Sequence, residues 1–118
     1  MSTGPEELRS RTKNFAIRIV KLYNSLPYKS AAQVLGKQLL RCGTSVAANY
    51  RAACRARSRA EWISKIGIVV EEADESVFWL EMLVDCEIVP EQRLADLLKE
   101  GHELSALFTA SQRTARNK

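Results

Sequence analysis

The sequence predicts an all-α protein, an antiparallel up-and-down bundle of four helices made by a single domain spanning residues 1–118. Three observations carry this. Apolar residues recur with a helical period along nearly the whole chain, and no useful stretch alternates with the period of two that a strand shows. Gly and Pro are few, with Pro27 and Pro90 placed at boundaries between periodic segments. A chain of this size buries roughly two thirds of its unfolded surface, so it holds a core without metal or disulfide staples.

The first helix is predicted over 6–26: residues 8, 15, 19, 22 and 26 share one stripe, and Pro27 ends it. Ser30 and Gln33 have capping-box spacing and open a second helix over 30–57. A third runs over 60–86, and Pro90 suits the first turn of a fourth over 90–112, which frays into the polar tail ending at Lys118. Four amphipathic helices with short connections pack most simply as an up-and-down bundle. The two middle helices, roughly 40 Å long at 1.5 Å per residue, dominate it.

Advancing about 100° per residue, Leu35, Leu39, Cys42, Val46, Tyr50 and Ala53 form the core stripe of the second helix. Ala32, Gly36, Gly43 and Ala47 line its edge, where small side chains admit a close neighbour. Asn49 lies on the same side, a structural buried polar residue whose amide needs partners, expected on a neighbouring helix. In the third helix the core stripe is Trp62, Ile66, Val69, Ala73, Val77, Leu80 and Val84. Off that stripe lie Ile68, Phe78, Trp79 and Met82, mixed with Glu72 and Glu75. Aromatic side chains on the outside of a lone bundle point to self-association, so these six residues are the expected oligomer interface.

The net charge of +4 hides a segregation. Residues 30–59 hold six basic residues and no acid, whereas 60–90 hold one basic residue and eight acids. The outer face of the second helix collects Lys37, Arg41, Arg51 and Arg55, and Arg57 and Arg59 crowd the turn that follows, with Lys65 one turn beyond. Folding the third helix back about Ser58 sets Arg41 level with Glu75, Thr44 with Glu72 and Arg55 with Glu61. Part of the charge is therefore compensated within the chain, and the rest forms a candidate nucleic-acid-binding surface.

Catalytic residues are not expected. His102, the one histidine, sits on the fourth helix in a polar setting, and no nucleophile elbow, Walker loop or dinucleotide fingerprint is present. Glu71, Glu72, Asp74 and Glu75 spread around their helix without a Glu-x-x-His partner, so neither a metal site nor any other cofactor is expected. Three cysteines without metal-ligand spacing, Cys42, Cys54 and Cys86, fit a reducing cytoplasm. No secretory signal pattern is read, and the longest apolar run, 66–70, is far short of a membrane span, so no membrane partner is expected.

The run from Gln38 through Arg41, Ser45 and Val46 to Asn49, then Glu61-Trp62-Ile63, Glu72-Ala73-Asp74-Glu75 and Trp79-Leu80-Glu81, resembles the bacterial four helix bundle protein family. Its founding members are encoded by intervening sequences within 23S ribosomal RNA genes, and the accessory variability proteins of diversity-generating retroelements look similar. The resemblance covers about residues 10–108. It implies an up-and-down bundle assembled as a homopentameric ring, binding to nucleic acid or ribonucleoprotein, and no known catalysis. Many members carry an acidic Glu-Gly pair after the Asn, whereas this chain has Tyr50-Arg51, which adds charge to the basic stripe.

Two functions compete at this stage. One is a non-catalytic nucleic-acid binder, for RNA or ribonucleoprotein, acting as a homo-oligomer through Lys37, Arg41, Arg51, Arg55, Arg57, Arg59 and Lys65. The other is a structural or adaptor oligomer whose basic face meets an acidic protein partner. They differ in whether Arg51, Arg55, Arg57 and Arg59 stay exposed.

Overall fold

The structure, a computed structural model, describes residues 4–118. These form four helices and, among the described residues, no strand: α1 (Pro5–Ser25), α2 (Ser30–Ala53), α3 (Arg59–Asp85) and α4 (Glu91–Arg116). Each helix packs on the next, α4 closes back on α1, and the diagonal helices meet through side chains in the core, as Tyr50 of α2 does with Phe108 of α4. That is the up-and-down arrangement the periodicity predicts. The result is a rod of 47 × 25 × 21 Å.

Helix ends follow local chemistry, with corrections to the expected boundaries. Pro5 occupies the first turn of α1, where its missing N–H costs nothing, and Glu6 and Glu7 complement the helix dipole there. The capping box expected at Ser30 is absent: the N-cap is Lys29, whose side chain has no acceptor to offer the first N–H groups and makes no capping hydrogen bond. Gln33 instead turns back, donating to the Pro27 carbonyl at 3.2 Å and meeting the Tyr23 hydroxyl at 3.3 Å. α2 stops at Ala53, four residues before the expected end. There Arg55 N–H bonds to Ala52 and Ala56 N–H to Ala53, the tighter i to i+3 pattern that unwinds a helix.

Ser58 then caps α3, its hydroxyl accepting from Glu61 N–H at 3.0 Å. At the far end of α3, Glu87 takes a left-handed φ of 59°. Ile88 N–H reaches Leu83 O and Glu87 N–H reaches Val84 O, both at 2.9 Å, the Schellman pattern that sends the chain into α4. α4 runs to Arg116 rather than fraying after residue 112. Arg59 explains the extension, because its guanidinium donates to the carbonyls of Ala115 and Lys118, each at 2.8 Å.

The core follows the expected stripes closely. On α2, Leu39, Cys42, Val46, Tyr50 and Ala53 are buried and Leu35 is half-buried. On α3 the buried set is Ile66, Val69, Ala73, Val77 and Leu80, joined by Ser76 and Leu83, while Trp62 and Val84 are half-buried. α1 adds Phe15 and Ile19 and α4 adds Leu104 and Phe108, all fully enclosed. Each such side chain contributes about 1.5–3 kcal/mol by leaving water. A Cβ on Gly43 would run into the enclosed Ile19 side chain, so glycine at this position favours the close approach of α1 and α2.

Candidate nucleic-acid interface

An antiparallel bundle brings together termini that the sequence separates. One end of the rod holds the start of α1, the end of α2, the start of α3 and the end of α4. Arg59 of α3 bonds to the last carbonyls of α4, and Gln112 Nε2 donates to Ile63 O at 3.3 Å. Arg51, Arg55, Arg57 and Arg59 therefore share this pole with Arg9 and Lys13 of α1 and with Arg113, Arg116 and Lys118. Glu6, Glu7 and Glu61 are the acids at that end.

On the side of the pole lies an open groove between α1 and α2, about 780 Å³ in volume. Arg9, Ser10 and Lys13 form one wall, and Thr44, Ala47, Ala48, Arg51, Cys54 and Arg55 form the other wall and the floor. Arg9, Lys13, Arg51 and Arg55 are exposed, and none makes an ion pair among the described residues. Beneath them the Tyr50 ring is buried against Phe108, with ring centroids 5.0 Å apart. Burial, reinforced by the adjacent Cys54 thiol, pushes the Tyr50 phenol above its ordinary range despite the opposing pull of Arg9. The groove therefore offers cations over a neutral floor.

The expected binding residues divide into three groups. Lys37, Arg51 and Arg55 are exposed and without an ion pair among the described residues, and Lys65 is half-buried and likewise unpaired. Arg41 is spent within the chain, on Glu72 at 3.3 Å and on Glu75. Arg57 stays open to solvent with Glu61 3.9 Å away, so the partner of Glu61 is Arg57 and not Arg55 as the folded-back register predicts. Thr44, expected opposite Glu72, bonds instead to Leu40 O on its own helix at 2.7 Å. Arg59 is committed to the end of α4.

Asn49 also differs from expectation. It is half-buried, and its amide donates to Ser45 O at 2.9 Å and to Ser45 Oγ at 3.1 Å, one turn back on α2 and not across to a neighbour. Sequence reasoning missed Arg9 and Lys13. The signal was available: folding α1 back on α2 about the Leu26–Lys29 turn sets residue 9 near the end of α2.

The chain matches, over residues 7–110, the family described as 23S rRNA-intervening sequence protein. The chain belongs to that family. A crystal structure of a protein of unknown function from the S23 ribosomal protein family, from Bacteroides thetaiotaomicron VPI-5482, is 34% identical to it. The alignment covers 92% of this chain and 97% of that one, with a TM-score of 0.85. No curated protein matches the chain.

In this member of the 23S rRNA-intervening sequence family the outer side of α3 is less open than the helical wheel implies. Ile68 and Phe78 are exposed, but Trp79 and Met82 are half-buried and Trp79 packs against the core. The Trp79 indole donates to Glu75 Oε2 at 3.0 Å and meets Phe78 edge-on, centroids 4.9 Å apart. Glu72 and Glu75 are half-buried beside Arg41. His102 is exposed. Among the described residues no group of three or more His, Cys, Asp or Glu side chains could hold a metal ion. No described helix is long and apolar enough to cross a membrane.

Proposed function

We propose that this family member is a non-catalytic cytoplasmic protein that binds RNA, or an RNA-containing complex, through the basic pole of its bundle. The observation that carries the reading is the groove in which Arg9, Lys13, Arg51 and Arg55 face solvent without an ion pair among the described residues. Holding like charges together costs free energy that an anion relieves, and a phosphate backbone relieves it at several points at once. Arg57 adds a solvent-facing charge. Arg59 acts by positioning, because it fixes the end of α4 and with it Arg113 and Arg116.

The protein acts as a homo-oligomer, a pentameric ring in the form the family resemblance implies, which repeats the pole and multiplies weak phosphate contacts. Ile68 and Phe78 on α3 supply exposed apolar surface for assembly. A gel-shift titration with RNA, run beside light scattering, tests both parts. Expected are binding that weakens steeply with salt and a mass several times 13.3 kDa. Phe78→Glu is expected to dissociate the oligomer while retaining helix content, because a carboxylate is poorly tolerated in an apolar contact. A monomer at micromolar concentration defeats the assembly reading. Salt-insensitive or absent binding defeats the RNA reading and favours an adaptor for an acidic protein.

A further inference from the structure

We infer that the α1–α2 groove takes the phosphate backbone of a base-paired RNA duplex and not a single strand; this rests on the RNA reading above and names the ligand class of the same site. Proteins that hold single strands combine a basic track with aromatic faces on which unpaired bases stack. The groove has the track without the faces: no aromatic side chain lines it. The ring beneath it, Tyr50, is 4% exposed and packed on Phe108. Tyr28, at 99% the most exposed ring, lies in the α1–α2 turn at the opposite end of the rod. An unpaired strand laid here would give up base stacking and gain no replacement.

A duplex needs no replacement, because its bases already stack on one another and it presents phosphates and sugars outward. With two backbones along one axis, its charge density is about twice that of either strand alone, which suits walls whose only charges are cations. Arg9 and Lys13 are four residues apart on α1, about 6 Å along the helix, and Arg51 on the last turn of α2 is followed by Arg55 in the turn beyond it. They form two rows flanking a floor of Ala47 and Ala48, with room for a ridge of phosphates between them. The Thr44 hydroxyl is tied to Leu40 O, and the deep, narrow major groove of an A-form duplex keeps its base edges out of reach of Arg51 and Arg55. Recognition there is by shape and charge, independent of sequence.

Fluorescence anisotropy on the full chain tests this with two hairpin RNAs of unrelated sequence and a uridine homopolymer, all at one salt concentration. Expected is binding of both hairpins within about threefold of each other and roughly tenfold or more tighter than the homopolymer. The double variant R9A/K13A, its fold checked by circular dichroism, is expected to lower the hairpin salt slope by about 2. Equal or tighter binding of the homopolymer overturns the duplex inference and leaves RNA binding standing. An unchanged slope in the double variant removes the groove as the site. Binding of neither RNA overturns this inference and the RNA reading together.

Discussion

Arg51 and Arg55 permit a quantitative test of the basic groove. Both are exposed, Arg51 on the last turn of α2 and Arg55 in the turn just after it, and neither side chain makes an ion pair among the described residues. Arg59 is a poor choice for the same test, because removing it also frees the last carbonyls of α4. If the four groove cations each neutralise one phosphate, the log–log salt slope is about −3.6, at about 0.9 per contact for a duplex. Affinity then falls about 150-fold between 50 and 200 mM salt. The double variant R51A/R55A keeps two contacts, halves the slope to about −1.8 and loses only about 12-fold over the same range. Anisotropy titrations at four salt concentrations measure the slopes, and a urea melt of the variant checks that stability stays within about 0.5 kcal/mol, as for exposed sites. A slope that stays steep after both arginines are gone refutes the assignment of phosphate contacts to this groove. So does a wild-type slope near zero.

Three further outcomes test the fold. Glu87→Gly should raise stability by up to about 1 kcal/mol, near 4 °C in Tm, because a non-glycine residue at φ 59° carries a Cβ penalty; a loss shows that the Glu87 side chain makes a needed contact. Gly43→Ala should cost a net of about 1–2 kcal/mol in a urea melt, since the clash with enclosed Ile19 exceeds the roughly 1 kcal/mol gain in helix propensity; a stabilised variant means α1 and α2 can move apart at no cost. Tyr50 sets an alkaline limit. Its folded phenol is held neutral by burial, so its stabilisation is complete below about pH 10, where the unfolded phenol is also neutral, and declines at higher pH as the unfolded phenol ionises. Tyr50→Phe should make the decline above pH 10 shallower, measured by denaturant melts across that range.

The four helices and the core stripes were legible because amphipathic periodicity is a local property, written into every turn. Boundaries were harder where nothing local breaks the helix. Arg55 and Ala56 are good helix formers, so periodicity runs on past Ala53; the stop comes from the tight turn and from Ser58 capping the next helix. Asn49 illustrates a different limit, since a helical wheel places an amide near the core but does not say that Ser45 one turn back satisfies it. The roles of Arg41 and Arg59 depend on what lies across from them. Only the Arg41 pairing followed from folding α3 back on α2, whereas the Arg59 contact needs α4 to reach the same pole. The groove escaped notice because its cations lie on two helices whose faces were read separately.

The placement of acids explains why the pole keeps its charge. Most of the α3 carboxylates begin at Glu71, twelve positions beyond Arg59 and so about 18 Å along the helix from the pole. Screening in physiological salt has a range of about 8 Å, so between exposed groups those carboxylates do little for the cations at the end of the rod. Where acids and arginines do lie level, they pair: Arg11 with Glu100 at 2.6 Å, Arg41 with Glu72 and Glu75. At the pole, Arg57 has Glu61 at 3.9 Å, a pair open to solvent and therefore worth little. Glu6 and Glu7 stand in the first turn of α1, where the helix dipole already favours them. The same chain thus pairs Arg11 and Arg41 along the shaft and leaves Arg9, Arg51 and Arg55 without an ion pair among the described residues toward one end, and its folded topology, by bringing four helix termini to that end, concentrates what one helix alone would spread out.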